Sequence, residues 1–270
     1  GHVWCRNGLS DPALDTPEGA ALFGLLRPVM RVGRALTGGV ALEEGLLQRH
    51  LIIDHLLSRA IETGRVGQVL EIAAGMSGRG VRFARRYGPA GLVYVEGDLA
   101  GMAGRKRSRL ASAGLAVAHH HVVALDVLAD GGPLALEQAT GGLLDPGKGI
   151  AIVTEGLLSY FDTPTAEGLW RRVAGFVAPF ASDLYLSDLH AGGAFTSRPV
   201  RAFQRMLQVF VRGRTHNHFA RISDVAPTLA KNGFVRATVH RPRDWGAELS
   251  LPGVGGLETV QVLEASTRGG

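Results

Sequence analysis

A chain of 270 residues, 46% hydrophobic and 20% charged, lies close to globular averages, which excludes a disordered polymer and a small scaffold that depends on staples. Its formal charge of +5 is concentrated in one segment, 191–222, which holds Arg198, Arg201, Arg205, Arg212, Arg214 and Arg221 and no acid; the remainder is near neutral, which argues against a uniformly basic surface for nucleic acid. Cys5 is the single cysteine, so a disulfide framework, a multi-cysteine zinc site and an iron–sulfur cluster within the chain are excluded. No run approaches the roughly 18–20 apolar residues of a membrane span. The start lacks the charged-then-apolar pattern of a signal peptide, so a soluble cytoplasmic protein is expected. Only Lys106, Lys148 and Lys231 among 29 basic residues are lysine, a bias that fits a GC-rich bacterial genome.

From the amino end, apolar residues at helical spacing predict helices over 17–26 and 41–61, the second through Leu46, Leu47, Ile53, Leu56, Leu57 and Ile61. Residues 1–64 are read as a helical extension ahead of one domain, 65–270. After Gly64 short apolar strands at 68–74, 92–95, 121–125, 150–154 and 184–187 alternate with helices at 80–87, 99–112, 133–138, 164–177 and 223–232. Such alternation makes an α/β, doubly wound, mostly parallel sheet covered on both faces. The tail differs: 235–240 and 259–264 read as two strands with no helix between them, which predicts an antiparallel terminal pair and seven strands in all. The segment 191–222 is an insert. Arg198, Arg201 and Arg205 share one helical face and Phe203, Leu207 and Phe210 another, the pattern of an amphipathic helical lid.

The chemistry-bearing residues gather where strands end. Val69-Leu-Glu-Ile-Ala-Ala-Gly-Met-Ser-Gly-Arg-Gly80 runs from a strand through a small-residue turn into a helix, a shape that lets a ligand approach the backbone at the carboxyl ends of the strands. Its glycines are ordered G-x-x-G-x-G and not the G-x-G-x-x-G that wraps a dinucleotide pyrophosphate, which weakens a nicotinamide reading. Glu71 lies inside the strand, where an acid needs a cation or donors; a ligand ammonium is the expected partner. The second strand ends Val95-Glu-Gly-Asp98, where such folds grip ribose hydroxyls, so Asp98 or Glu96 takes that role. The third ends at Asp126-Val127, from which a carboxylate can accept an adenine amino group. The fourth ends Thr154-Glu-Gly-Leu-Leu-Ser-Tyr160. Four strands thus carry carboxylates to one rim, while no P-loop pattern is present for phosphates. A cationic, nucleoside-like ligand without a triphosphate follows, and S-adenosylmethionine meets that description. His119-His120-His121 has no carboxylate at ligand spacing and reads as a solvated turn, so no metal site is expected.

At these residues the chain resembles class I S-adenosylmethionine-dependent methyltransferases, specifically the leucine carboxyl methyltransferase group with its bacterial polyketide O-methyltransferase relatives. The likeness covers roughly residues 45–265 and rests on Arg49-His-Leu-Ile-Ile-Asp54, Leu70-Glu-Ile-Ala-Ala-Gly-Met76, Tyr94-Val-Glu-Gly-Asp-Leu99, Asp126-Val127 and Thr154-Glu-Gly-Leu-Leu-Ser-Tyr160. The resemblance implies a Rossmann-like fold in which Arg49 binds the methionine carboxylate, Gly75 lines the methionine moiety and Asp98 holds the ribose. It further implies that Asp126 and Val127 frame the adenine and that Glu155 sits near the methionine amino group; Glu71 and Ser77 complete the cofactor set. Ala73 and Ser77 stand where class I enzymes usually have glycine, and Ser77-Gly78-Arg79 replaces the group's common Asp-Thr-Arg.

Methyl transfer is an in-line displacement at a sulfonium, so the enzyme mainly positions two reactants and removes water. A carboxylate acceptor is already ionised at neutral pH, whereas a phenol benefits from a base. Because guanidinium binds carboxylate in a fork, Arg198, Arg201 and Arg205, with Tyr160, are the expected substrate contacts; His190, His216 and His218 are candidate bases for a hydroxyl acceptor. The expected activity is O-methylation of a carboxylate or phenolic hydroxyl on a small polyketide-like or aromatic acid. The expected partner is that small molecule, with neither membrane nor nucleic acid, and a homodimer stays open. Two alternatives remain: a methyltransferase fold that binds the cofactor but catalyses no transfer or another reaction, and a nucleic-acid-binding protein that uses the basic insert.

Overall fold

The computed structural model describes residues 2–17, 19–21, 24, 42–190, 216–253 and 260–269. Seven strands form one sheet: β1 Gln68–Ile72, β2 Val93–Asp98, β3 His120–Ala124, β4 Ile150–Thr154, β5 Asp183–Leu189, β6 Arg236–His240 and β7 Gln261–Ser266. Their order is β3-β2-β1-β4-β5-β7-β6. The first five are parallel, and β7 runs antiparallel to both β5 and β6. The helices are α1 His2–Arg6, α2 Leu42–Glu62, α3 Arg79–Tyr87, α4 Ala100–Ser112, α5 Leu136–Ala139, α6 Thr163–Val177, α7 Val225–Lys231 and α8 Pro242–Leu249.

The central strands are near-continuous apolar runs because both faces are covered. On one face Val69, Tyr94, Ala151, Val153, Leu184 and Leu186 meet Ile52, Ile53 and Leu57 of α2 and Phe83 and Ala84 of α3. On the other, Leu70, Ile72, Val95, Ile150, Ile152 and Tyr185 meet Leu169, Trp170 and Val173 of α6 and Leu229 of α7. Each fully buried side chain of this size contributes roughly 1.5–3 kcal/mol. The start of α6 is set by Asp162, whose Oδ1 accepts the Thr165 N–H at 3.0 Å, with Pro164 in the first turn.

Register places the strand ends level. Ile72 pairs with Gly97 and Thr154, Gly97 with Val123, and Thr154 with Ser187. The loops after β1 to β4 and the end of β5 therefore share one rim, and the strand order reverses between β1 and β4, where ligands of open α/β sheets bind.

The expected antiparallel terminal pair is present, but α8 lies between β6 and β7, which corrects the reading of two strands with no helix between them. Pro242 in its first turn pre-sets the helical φ. The helix expected over 133–138 is reduced to the four residues of α5. Of the helix expected over 17–26, residues 17, 19–21 and 24 are described and are helical, while the rest of it and most of the insert, with Arg198, Arg201 and Arg205, lie outside the described residues. No described helix is long and apolar enough to cross a membrane.

Candidate active site

After β1 the chain turns through two left-handed residues, Ala73 at φ 57 and Gly75 at φ 52. The N–H groups of Ala73 and Ala74 donate to the Gly97 carbonyl at 2.8 and 3.4 Å. Gly75 N–H donates to Asp98 Oδ2 at 2.7 Å, and the other oxygen of Asp98 accepts the Leu99 N–H at 2.8 Å. Asp98 is thereby locked to the turn at the end of β2. A Cβ at Gly75 would meet nothing within 4 Å, so space for a ligand lies above it. Ser77 turns inward: it is buried, and its Oγ accepts the Arg79 N–H at 3.2 Å at the start of α3. Gly78 is pressed by the N-terminal segment, since a Cβ there would sit 2.8 Å from Ser10 Cα.

The centre of the site is Arg79, a fully buried guanidinium. Nε donates to Asp54 Oδ1 at 2.5 Å, Nη1 to Glu71 Oε1 at 2.7 Å and Nη2 to Glu155 Oε2 at 2.5 Å. Glu71 also accepts from the Tyr94 hydroxyl at 2.7 Å. The partner that this strand acid needs is therefore Arg79, not the ligand ammonium expected from the sequence. Burial works to raise the Glu155 carboxyl, yet His50, Arg79 and Arg49 hold it well below the usual carboxylate range. Asp54 is likewise lowered against burial, by His50, Arg79 and Arg82. Burial would depress Arg79, but Glu71, Asp54 and Glu155 push it well above its ordinary value.

His50 completes this wall, with Nδ1 2.9 Å from Glu155 Oε2 and Nε2 3.1 Å from Arg82 Nη2. Nδ1 also lies 2.7 Å from Arg79 Nη2, so the imidazole is wedged between two guanidinium groups and the Glu155 carboxylate. Trp4 stacks on the imidazole with centroids 4.2 Å apart, and Arg82 Nε donates to the Leu9 carbonyl at 2.8 Å. Arg49, at the rim, donates from Nε to Glu155 Oε1 at 3.1 Å and from Nη1 to Asp188 Oδ2 at 2.6 Å.

Glu96, the other acid considered for the ribose, is not at the rim. It lies buried in mid-strand and pairs with Lys106 of α4 and, at 3.3 Å, with Nε2 of His120. His119 is an exposed turn residue, but His120 and His121 lie on β3 and the His120 side chain is buried, which corrects the reading of all three as a solvated turn. Gly80 packs on this group: a Cβ there would come within 2.6 Å of His120 Nε2 and closer still to Glu96.

Asp126 follows β3, with Oδ1 accepting the Leu128 N–H at 3.0 Å, and Val127 is buried beside it. Past β4, Tyr160 is half exposed. A small cleft between the ends of β4 and β5 is lined by Ser159, Asp188, His190, His216 and His218. His218 Nε2 donates to the Leu158 carbonyl at 2.9 Å, its ring stands edge-on to Trp170, and burial holds it below its ordinary pKa. His216 donates its backbone N–H to Ser159 at 2.8 Å. Among the described residues no group of three or more His, Cys, Asp or Glu side chains is placed to hold a metal ion.

Arg79, His50, Asp54, Tyr94 and Asp188 were not selected as site residues from the sequence. His50 and Asp54 fall inside the block that begins at Arg49 and lie one helical turn apart, the signal that was available for them.

The arrangement suits a zwitterion joined to a nucleoside. Arg49 is a cation for a carboxylate, Glu155 an ionised acid for an ammonium, and the open Gly75 turn admits close approach. Asp98 offers acceptors for vicinal hydroxyls, while exposed Leu99 and Leu128 flank Asp98 and Asp126 with apolar surface.

A family model described as leucine carboxyl methyltransferase matches residues 28–174. No curated protein sequence matches the chain significantly. Among solved structures, a methyltransferase structure from Thermobifida fusca YX superposes with a TM-score of 0.59 at 13% identity, covering 90% of this chain and 88% of that one. One described as an O-methyltransferase from Nostoc punctiforme gives 0.53 at 17%, covering 92% and 71%. Human N-acetylserotonin methyltransferase in complex with SAM gives 0.52 at 10%, covering 100% and 66%. In several other matches this chain spans 50 to 61% of the solved chain's length. At such identities the superpositions establish the fold alone. The family match extends over more than half of the chain, which makes it a member of the leucine carboxyl methyltransferase family and, with that, a class I methyltransferase that uses S-adenosylmethionine.

Proposed function

We propose that this protein transfers the methyl group of S-adenosylmethionine to an oxygen of a small acceptor, either a carboxylate or a phenolic hydroxyl on a polyketide-like or aromatic acid. The observation that supports the reading is the Arg49–Glu155–Asp188 group at the ends of β4 and β5, with Ser159, His190, His216 and His218 beside it around a space of about 10 Å³. The bound cofactor supplies an electrophilic methyl group on a sulfonium. The chain's own residues then bind and orient. Arg49 and Glu155 take the amino-acid end, Asp98 takes the ribose, and Asp126 with Val127 borders the adenine.

A carboxylate acceptor needs no base because it is ionised at neutral pH. A phenol gains from one, and His190, His216 and His218 are the candidates; the Leu158 carbonyl holds the His218 proton on Nε2 and so leaves Nδ1 as its accepting nitrogen. Tyr160 and the arginines 198, 201 and 205 are proposed as acceptor contacts, the arginines through their fork geometry with carboxylates.

The test is to incubate the protein with methyl-deuterated cofactor and paired panels of aromatic acids and phenols, with Asp98→Ala alongside, and to read products by mass spectrometry. A labelled ester or ether that disappears with Asp98→Ala supports the reading and identifies the acceptor oxygen. Cofactor binding without product from any oxygen acceptor would favour a cofactor-binding protein that has lost transfer.

A further inference from the structure

Arg49 is held from two sides. Nε reaches Glu155 at 3.1 Å and Nη1 reaches Asp188 Oδ2 at 2.6 Å. Asp188 lies one residue before the end of β5 and its side chain is 5% exposed. Its second oxygen accepts the Gly156 N–H at 2.7 Å. One carboxylate therefore ties the guanidinium to the turn after β4, next to Glu155. Gly156 is left-handed at φ 73, and a Cβ there would lie 3.1 Å from Arg49 Nη2, so a bare backbone is what lets the guanidinium lie against this turn. A buried acid on a strand end can be a counterion and nothing more. Asp188 does more than that geometrically, because its two oxygens address two different parts of the rim and fix their relation.

We infer that Asp188 is a positioning residue for the methionine end of the cofactor, holding Arg49 and the Gly156 turn in one frame so that the ligand's carboxylate meets a cation already in place. A preset cation spares the ligand the entropy of ordering a long side chain. Asp188 also lines the small cleft between the ends of β4 and β5, beside Ser159, His190, His216 and His218. The inference rests on the cofactor assignment and is independent of the acceptor.

The experiment compares two ligands by calorimetric titration: S-adenosylhomocysteine, and 5′-methylthioadenosine, which has the same nucleoside and sulfur but lacks the amino-acid end. Binding of S-adenosylhomocysteine to the unaltered protein checks the cofactor assignment first. In Asp188→Asn the amide oxygen can still accept the Gly156 N–H while the charge that holds Arg49 is lost. S-adenosylhomocysteine should weaken by about ten- to a hundredfold, the worth of one charge-assisted hydrogen bond, with methylthioadenosine unchanged within about twofold. Equal weakening of both ligands, or no weakening of either, overturns the inference. Should Asp188→Asn melt below the assay temperature, Asp188→Glu carries the test, because the longer side chain cannot reach Gly156 and Arg49 together; selective loss is again expected and uniform loss overturns it.

Discussion

Arg79 Nη2 and Glu155 Oε2 meet at 2.5 Å, and through this contact α3 is joined to the turn after β4. The same guanidinium binds Glu71 on β1 and Asp54 on α2. Removing one member of a buried ionic group costs more than the group itself contributes, because the remaining charges lose their compensation. Arg79→Met should therefore lower unfolding stability by about 3–5 kcal/mol, read by chemical denaturation. Arg82 also donates to Asp54, but its side chain is one-third exposed, and Arg82→Met should cost only about 1 kcal/mol. Similar losses in the two variants would contradict this account.

Acid sensitivity follows from the same group. Glu155 and Asp54 titrate lower in the folded protein than in an unfolded chain, so their stabilisation is complete above the unfolded value of about 4 and is lost as pH falls through the folded values. Glu71 acts in the opposite sense: burial raises it, and its share declines as pH rises through the folded value. With two lowered acids against one raised, the melting temperature should hold through neutrality and fall below about pH 4. In Glu155→Gln the plateau should be lower and the acid decline shallower. A parallel decline in both proteins would show that acid unfolding starts elsewhere.

Ala73 carries a Cβ at φ 57, a conformation that costs an L-residue roughly 1–2 kcal/mol. Glycine removes that strain but adds about 0.5–1 kcal/mol of unfolded-state entropy. Ala73→Gly should thus stabilise by about 0.5 kcal/mol, a rise of roughly 1–2 °C by calorimetry. Ala73→Val should destabilise, since a branched side chain tolerates positive φ least. A lower melting temperature for the glycine variant would mean that Ala73 contributes packing that outweighs its strain.

The sheet was legible because its strands are short apolar runs separated by turn residues: Gln68–Ile72 and Ile150–Thr154 fall within the segments that composition alone picks out. Helix α8 was not, because eight residues with Trp245 and Leu249 one turn apart give too short a periodic signal between two strands. The rim acids Asp98, Asp126 and Glu155 could be read from their places at strand ends. Arg79 could not, since its meaning depends on Asp54, Glu71 and Glu155 converging from three elements far apart in the chain. His120 misled for a related reason: three consecutive histidines look solvated until Glu96 and Lys106 are brought against the middle one.

Gly80 gives the first turn of α3 a second meaning. Residue 79 points into the charged group of Asp54, Glu71 and Glu155, while residue 80 rests without a side chain on Glu96 and His120. Any Cβ at 80 would press on Glu96 and His120 and disturb their packing with Lys106 one residue from Arg79. The two buried charged groups, Arg79 with its acids and Glu96 with Lys106 and His120, thus meet at adjacent residues of one helical turn.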